Sequence, residues 1–327
     1  MLERDTLQVL CDPFGLRAEE ATLVGRSQNE VFEFAASADR SILRVSHGRG
    51  VTLAQVEAEL EWVGELARRG IDACRPRPSC AGKLCERVAI GDAAYLVTHF
   101  DRAPGRKIVD ADVDGSLHAA VGRLIALMHA ASWDGPLPAT DLRPRSPWHA
   151  SRLVRDDVRR YTPPEAQPFR AAVDRLVDDL RRQTDGRLGP IHADVGFSNL
   201  SLDGERLWVF DFDNCELGSV EQDLATVLYD NIVCRHSNRV RADELHAAVR
   251  RDWSAVLRGY RSVRPTATID PHVIRQFLLL REAVIYTHYC RTLDPTTMTN
   301  AWRAGMDQMR KNVERGRTAV EPELLDW

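Results

Sequence analysis

Residues 190–226 read PIHADVGFSNLSLDGERLWVFDFDNCELGSVEQDLAT. His192, Asp194 and Asn199 fall in one loop, and a turn then leads into the apolar strand LWVF, which ends on Asp211-Phe212-Asp213. The spacing H-x-D-x4-N followed by D-x-D puts Asp194, Asn199 and Asp211 at one end of a hairpin. Taken singly, each piece is more often an ordinary turn or a solvated strand end. Together they supply one carboxylate to face an acceptor hydroxyl, plus an amide oxygen and a second carboxylate to hold magnesium. That is the set phosphoryl transfer from Mg-ATP requires. The reading demands a nucleotide-binding region elsewhere in the chain.

Upstream, residues 5–20 predict a short opening helix. ATLVG (21–25), EVFEFAA (30–36) and SILRVS (41–46) predict antiparallel strands, the last two joined by a turn through ASADR (36–40). Their apolar residues alternate with polar ones and are rich in β-branched and aromatic types. Residues 52–69 place Leu53, Val56, Leu60, Val63 and Leu66 on one helical face, with Gly70 as the stop. Residues 74–100 read as a loop and two more strands, the last being YLVTHF. DRAPGRKI (101–108) carries Pro and Gly and reads as a linker.

Beyond it, apolar periodicity predicts helices over 115–132, 168–183, 223–233, 242–262, 271–293 and a final one to about residue 315. Ser219 and Gln222 have the spacing of a capping box that would start the helix carrying Asp223. The predicted class is therefore α+β and bilobal. Residues 1–100 form a small antiparallel-sheet lobe with one long helix, 101–108 a hinge, and 109–327 a larger, mainly helical lobe.

A chain of 327 residues, 44% apolar and 28% charged, can bury a sizeable core as a globular protein. Its net charge of −4 offers no basic field for nucleic acid. MLERDTLQVL is charged where a signal peptide needs an apolar run, and no stretch is long and apolar enough for a membrane span. Seven scattered cysteines, an odd number, point to reduced thiols and hence a cytoplasmic setting. Cys74, Cys80 and Cys85 cluster without a CxxC, so they read as loop and strand residues rather than zinc ligands.

With IHADVGFSN, VFDFDN and EQDLA in place, the chain resembles the aminoglycoside phosphotransferase and choline kinase-like group, small-molecule relatives of protein kinases. The resemblance implies a protein-kinase-like fold and transfer of the γ-phosphoryl of ATP, with Mg2+, to the hydroxyl of a small-molecule acceptor. By the same resemblance Asp194 is the catalytic carboxylate, and Asn199 and Asp211 are magnesium ligands. Asp213 supports the second metal or its waters. His192 braces the loop against Phe212, and Asp223 tethers it through backbone hydrogen bonds.

On the nucleotide side, Arg44 stands where protein kinases carry a lysine. Glu59 is its expected partner, with Glu57 on another face. Ser27, Gln28 and Asn29 of the Gly-poor loop GRSQNE cover the phosphates, and Thr98, His99 and Phe100 meet adenine through their backbone. Acceptors within the group include aminoglycosides and other antibiotics, amino alcohols and homoserine. Asp213, Asp230, Glu282, Arg235, His236, Arg281, Tyr286 and His288 are candidates for lining the acceptor site. The oligomeric state leaves no mark on the sequence. Two alternatives stand beside this reading: a bacterial stress-type protein serine/threonine kinase of the same fold, and a non-catalytic nucleotide-binding regulator. The short connection from Asp213 to EQDLA leaves no long activation segment for the first of these.

Overall fold

The computed structural model describes residues 2–35, 40–47, 50–133, 145–237 and 242–318. The turn expected within ASADR lies largely outside them. In chain order the elements are helix α1 (Arg4–Cys11), strands β1 (Ala21–Arg26), β2 (Asn29–Phe34) and β3 (Ser41–His47), and helix α2 (Leu53–Arg68). Strands β4 (Pro76–Arg77), β5 (Cys85–Ile90), β6 (Ala93–Asp101) and β7 (Arg106–Lys107) follow, then helices α3 (Gly115–Trp133), α4 (Val158–Tyr161) and α5 (Gln167–Thr184). Strands β8 (Gly189–Ile191), β9 (Leu200–Asp203), β10 (Arg206–Val209) and β11 (Glu216–Gly218) come next. The chain continues in helices α6 (Val220–Val227), α7 (Cys234–Ser237), α8 (Ala242–Arg261), α9 (Pro271–Thr292) and α10 (Asn300–Arg315).

Two compact units result. The first runs to Lys107 and also takes in Arg145 and Leu200–Asp213; the second begins at Ile108 and holds the remainder. In the first, an antiparallel sheet has the order β1-β2-β3-β6-β4, with β5 also paired to β6. Strand alternation sorts its faces. Phe32, Phe34, Leu43, Val45 and Val97 point to one side, where α1 and its following turns supply Leu7, Leu10, Cys11 and Phe14. Leu96 and Cys85 point to the other, against Val56 and Leu60 of α2. Each such buried aliphatic side chain is worth about 1.5–3 kcal/mol. Helix α2 starts at a capping box made by Thr52 and Gln55 and stops before Gly70, whose φ is +83°.

The opening helix is shorter than the sequence reading, because Pro13 and a left-handed Gly15 end it in tight turns at residue 11. The stretch read as a linker is partly strand. Asp101 closes β6, and β7 pairs with β9, with Gly105 (φ +76°) passing so close to Leu202 that a Cβ would meet its carbonyl oxygen at 2.2 Å. Strand β9 turns back into β10 with Val209 opposite Leu200, so the chain leaves this hairpin where it entered.

The second unit is helical apart from the short pair β8–β11. Helices α3 and α8 cross at van der Waals contact through glycines. A Cβ at Gly122 would lie 1.9 Å from the Val256 carbonyl oxygen, and one at Gly259 the same distance from that of Ala119. Helix α9 packs against α5, α6 and α10 and buries Phe277, Leu278, Leu280 and Ala283. Residues Leu228–Val233, between α6 and α7, form a π-helical turn, a local widening often found at functional sites. Among the described residues no helix is long and apolar enough to cross a membrane.

Candidate active site

In the first unit, the alternation that sends Leu43 and Val45 to the α1 side sends Arg44 to the α2 side. There its Nη1 donates to Glu59 Oε1 at 2.7 Å, with both side chains buried. Glu59 reaches this face because it lies one turn from Val56 and Val63 on the buried stripe of α2, whereas Glu57 is exposed. The Phe100 ring lies under the guanidinium, 5.3 Å from its centre. Burial opposes the charge on Arg44, but Glu59, with Asp213 and Asp211 behind it, holds the guanidinium above its ordinary pKa. The Arg44 Nε is buried without a hydrogen-bond partner.

Asp211 follows β10 in a left-handed backbone (φ +64°), a strained conformation for a non-glycine residue. Phe212 is buried edge-on against Trp62 of α2, 5.4 Å between ring centres. Asp213 is gripped twice, its Oδ2 accepting from Asn29 Nδ2 at 2.9 Å and its backbone carbonyl from Arg145 Nη2 at 2.5 Å. Asn29 begins β2 just after the tight turn at Ser27-Gln28, closed by Ser27 N–H donating to the Asn29 carbonyl at 3.1 Å. The first unit therefore gathers Arg44, Glu59, Asn29, Asp211 and Asp213 around one spot.

Thr98, His99 and Phe100 are a correction. They lie inside the sheet, with β3 on one side and β5 or β4 on the other, so their backbone groups are already spent on neighbouring strands. Burial pushes the His99 imidazole down to about 4, and it packs as a neutral ring on Phe14. The bonding runs on past them: Arg102 N–H donates to the Arg40 carbonyl at 3.2 Å, and the carbonyls of Ala103 and Pro104 accept from Arg102 Nη1 and Ser201 Oγ.

In the second unit, Asp194 sits in the loop after β8. Asp223, at the start of α6, is fully buried and accepts from His192 N–H (3.1 Å) and Ala193 N–H (2.7 Å), with His129 Nε2 3.1 Å away. Those bonds hold Ala193 in a left-handed conformation (φ +64°). Asn231 accepts from Phe197 N–H at 2.9 Å, and His192 Nδ1 accepts from Asp194 N–H at 3.3 Å. The helix start itself corrects the sequence reading. Ser219 makes no side-chain cap, and Gln222 turns instead to Glu216 Oε1 at 2.6 Å.

The Asp194 carboxylate is held at both oxygens. Oδ1 accepts from Arg281 Nη2 at 2.6 Å, while Oδ2 accepts from Asn199 Nδ2 at 3.2 Å and Asn214 Nδ2 at 3.4 Å. Burial pushes its pKa up. The Arg281 charge and bond, with His192 and Asn199, outweigh that and keep it below the ordinary value. Asn199 spends its amide nitrogen on Asp194, which leaves its side-chain oxygen as the atom able to bind a metal.

An open pocket is bordered by Ala193, Asn214 and Arg281, with Glu216, Thr226 and Phe277 among its walls. Arg281 and Asp230 from the acceptor candidates do lie at Asp194. Others do not line this pocket. Tyr286 is buried on Phe169, His236 bonds buried Asp252 at 2.7 Å, and Glu282 bonds Asn312 at 2.9 Å. Arg235 is tied to Asp110. The sequence offered no sign of Asn214 or of the Arg281 contact, which joins residues 87 apart. All seven cysteines are free thiols.

Residues 21–265 match the phosphotransferase enzyme family. An amicoumacin kinase of Bacillus subtilis (strain 168) is 24% identical over 317 residues, spanning 96% of this chain and 93% of that protein. Among solved structures, an amicoumacin kinase, hAmiN, in complex with AMP-PNP, Ca2+ and Ami aligns at a TM-score of 0.87 and 24% identity, over 100% of this chain and 98% of that one. The microcompartment-associated aminopropanol kinase aligns at 0.71 and 21% identity, over 95% of each chain. The fold is that of these kinases, an antiparallel-sheet N-terminal region followed by a helical C-terminal region, as the sequence led us to expect.

Proposed function

Because the chain belongs to the phosphotransferase enzyme family, we propose that it moves the γ-phosphoryl group of ATP to a hydroxyl of a small molecule. The reading is carried by Asp194, an ionised carboxylate fixed at both oxygens by Arg281, Asn199 and Asn214, of which Arg281 and Asn214 border an open pocket. The acceptor oxygen forms a bond to the γ-phosphorus, the bond from that phosphorus to the β–γ bridging oxygen breaks to release ADP, and the hydroxyl proton passes to Asp194. Its lowered basicity suits a loose transition state in which the proton leaves late. Asp194 contributes chiefly by aligning the hydroxyl.

Asn199 and Asp211 would hold magnesium, with Asp213 supporting the second ion or its waters. Both are hard oxygen donors. Magnesium is commonly held by one or two protein oxygen ligands together with substrate phosphates. Magnesium supplies charge neutralisation on the phosphate oxygens. Arg44 supplies its positive charge to the phosphates, while Glu59 holds the guanidinium in place. Ser27, Gln28 and Asn29 cover the phosphates, and the Arg102 carbonyl and Ala103 N–H, just past residues 98–100, take the adenine edge.

The acceptor reading rests on charge. Asp194 and Asp230 share one Arg281, leaving an excess negative charge, and Glu216 adds another carboxylate at the pocket wall. A small hydroxylated molecule carrying an amine suits that field, in keeping with the names of the amicoumacin and aminopropanol kinases. The test is to incubate the protein with magnesium and γ-labelled ATP across amino alcohols, aminoglycosides, amicoumacin, homoserine and a generic protein. Label on an amine-bearing small molecule supports the reading. Label on the protein alone, or on nothing, sinks it.

A further inference from the structure

We infer that Arg281 is a positioning residue for Asp194, and that Asp230 is the anchor that makes it one; this rests on the proposed role of Asp194. Arg281 lies on α9, a different element from the loop it serves. Its Nε and Nη2 fork onto Asp230 (3.3 Å to Oδ1, 2.5 Å to Oδ2), and Nη2 also donates to Asp194 Oδ1 at 2.6 Å. A guanidinium nitrogen carries two hydrogens, so one nitrogen can serve both carboxylates. The two-point grip by Asp230 fixes the plane of the guanidinium, and the second hydrogen is thereby aimed at Asp194.

Three donors from three places then determine the Asp194 rotamer: Arg281 on Oδ1, and Asn199 and Asn214 on Oδ2. The Arg281 bond is the shortest of these and the one carrying full charge. The anchor is itself built in. Asp230 belongs to the π-helical turn Leu228–Val233, whose next residue, Asn231, accepts from the N–H of Phe197 in the Asp194 loop. One turn of chain thus holds both the loop backbone and the cation that orients the loop's carboxylate. Salt-bridge side chains here are largely sheltered, 15% exposed for Arg281, 26% for Asp194 and 22% for Asp230, so solvent screening is reduced.

A structural strut between α9 and the loop would make the same contacts, but it would not act through Asp194. The double-mutant cycle separates the two. ADP release is measured for wild type, Asp194→Asn, Arg281→Gln, Arg281→Lys and the Asp194→Asn/Arg281→Gln double variant, with aminopropanol and amicoumacin as probe acceptors and water as acceptor in their absence. Thermal melting checks that each variant folds.

Arg281→Gln is expected to lower kcat about 10- to 100-fold, the scale of a misplaced reacting group, with KM for ATP unchanged. Arg281→Lys recovers part of this, since an ammonium reaches one carboxylate but cannot fork onto both. In the Asp194→Asn background Arg281→Gln costs nothing further. A crystal structure of Arg281→Gln should show Asp194 in more than one rotamer. Additive losses in the cycle, or a kcat for Arg281→Gln within about twofold of wild type while Asp194→Asn is inactive, overturn the inference alone. Undiminished turnover by Asp194→Asn, or no ADP release by wild type with any acceptor or water, overturns the reading beneath it as well.

Discussion

Replacing Asp223 by Ala removes a carboxylate that is wholly buried and carries three contacts: His192 N–H at 3.1 Å, Ala193 N–H at 2.7 Å and His129 Nε2 at 3.1 Å. Hydrogen bonds to a charged group are each worth about 1.5–3 kcal/mol. Simple summation overshoots, because burying the carboxylate itself costs several kcal/mol. Breaking such a network by deleting one partner typically costs about 3–5 kcal/mol, and that is the expected loss here. A protein with a usual stability of about 5–15 kcal/mol stays folded but weakened. Ala193 would then be free to leave its left-handed conformation, which disfavours a non-glycine residue by about 1–2 kcal/mol, and Asp194 would move with it. Turnover should therefore fall further than stability alone explains.

Urea unfolding followed by tryptophan fluorescence measures the first effect, and kcat for the folded fraction the second. The pH dependence has a definite sign. Burial would raise the Asp223 pKa, but His129, His192 and the Ala193 N–H outweigh it and set the folded value below the ordinary one. Its contribution is thus present above the ordinary carboxylate pKa and is lost as pH falls through the lowered folded value. The gap between wild type and Asp223→Ala should be flat from about pH 6 to 8 and should narrow below about pH 4. A gap under about 1 kcal/mol at neutral pH, or one that widens in acid, refutes the tether as described.

Glu59→Gln leaves Arg44 buried without its carboxylate, so stability should drop by about 3–5 kcal/mol and magnesium-dependent ATP affinity by about tenfold; denaturant and nucleotide titrations read the two separately. Burial pushes Glu282 up to about 7, against a single opposing bond from Asn312. The stability this raised pKa allows is fully present below the ordinary glutamate value and is lost as pH rises through about 7. Glu282→Gln should accordingly raise the melting temperature at pH 8 but not at pH 4, by up to about 3 kcal/mol in stability. Gly122→Ala forces a methyl group to within 1.9 Å of the Val256 carbonyl oxygen unless α3 and α8 part, and should cost about 3 kcal/mol by thermal or chemical denaturation.

Local pattern made most of the elements legible in the sequence. Alternation located β1 to β3 and β6, and the apolar stripe of α2 located the helix that brings Glu59 to Arg44. The resemblance calls for a glutamate partner on α2, and helical spacing sets Glu59 apart from Glu57 on another face. What failed depended on partners distant in sequence. Thr98–Phe100 read as accessible backbone because nothing local shows that β4 and β5 both close on β6. Ser219 and Gln222 have the spacing of a cap, but Gln222 is drawn by its Nε2 to Glu216, and its Oε1, the atom a capping box uses, takes no partner. Arg281 and Asp230 stand in the sequence as acceptor-site candidates for their charge, without any sign that they meet. Their meeting at Asp194 is set by how α9 and the π-helical turn pack, which no spacing rule encodes. Asn214 gave no local signal because the carboxylate it bonds, Asp194, lies 20 residues away in the chain.

The most direct test of the account is Asp194→Asn, assayed for ADP release with an acceptor that supports wild-type turnover and for Mg-ATP binding by titration. The carboxylate reading predicts kcat lower by about 10²–10⁴-fold with ATP affinity essentially that of wild type. Turnover within about tenfold of wild type would contradict the assignment of Asp194 and with it the proposed chemistry.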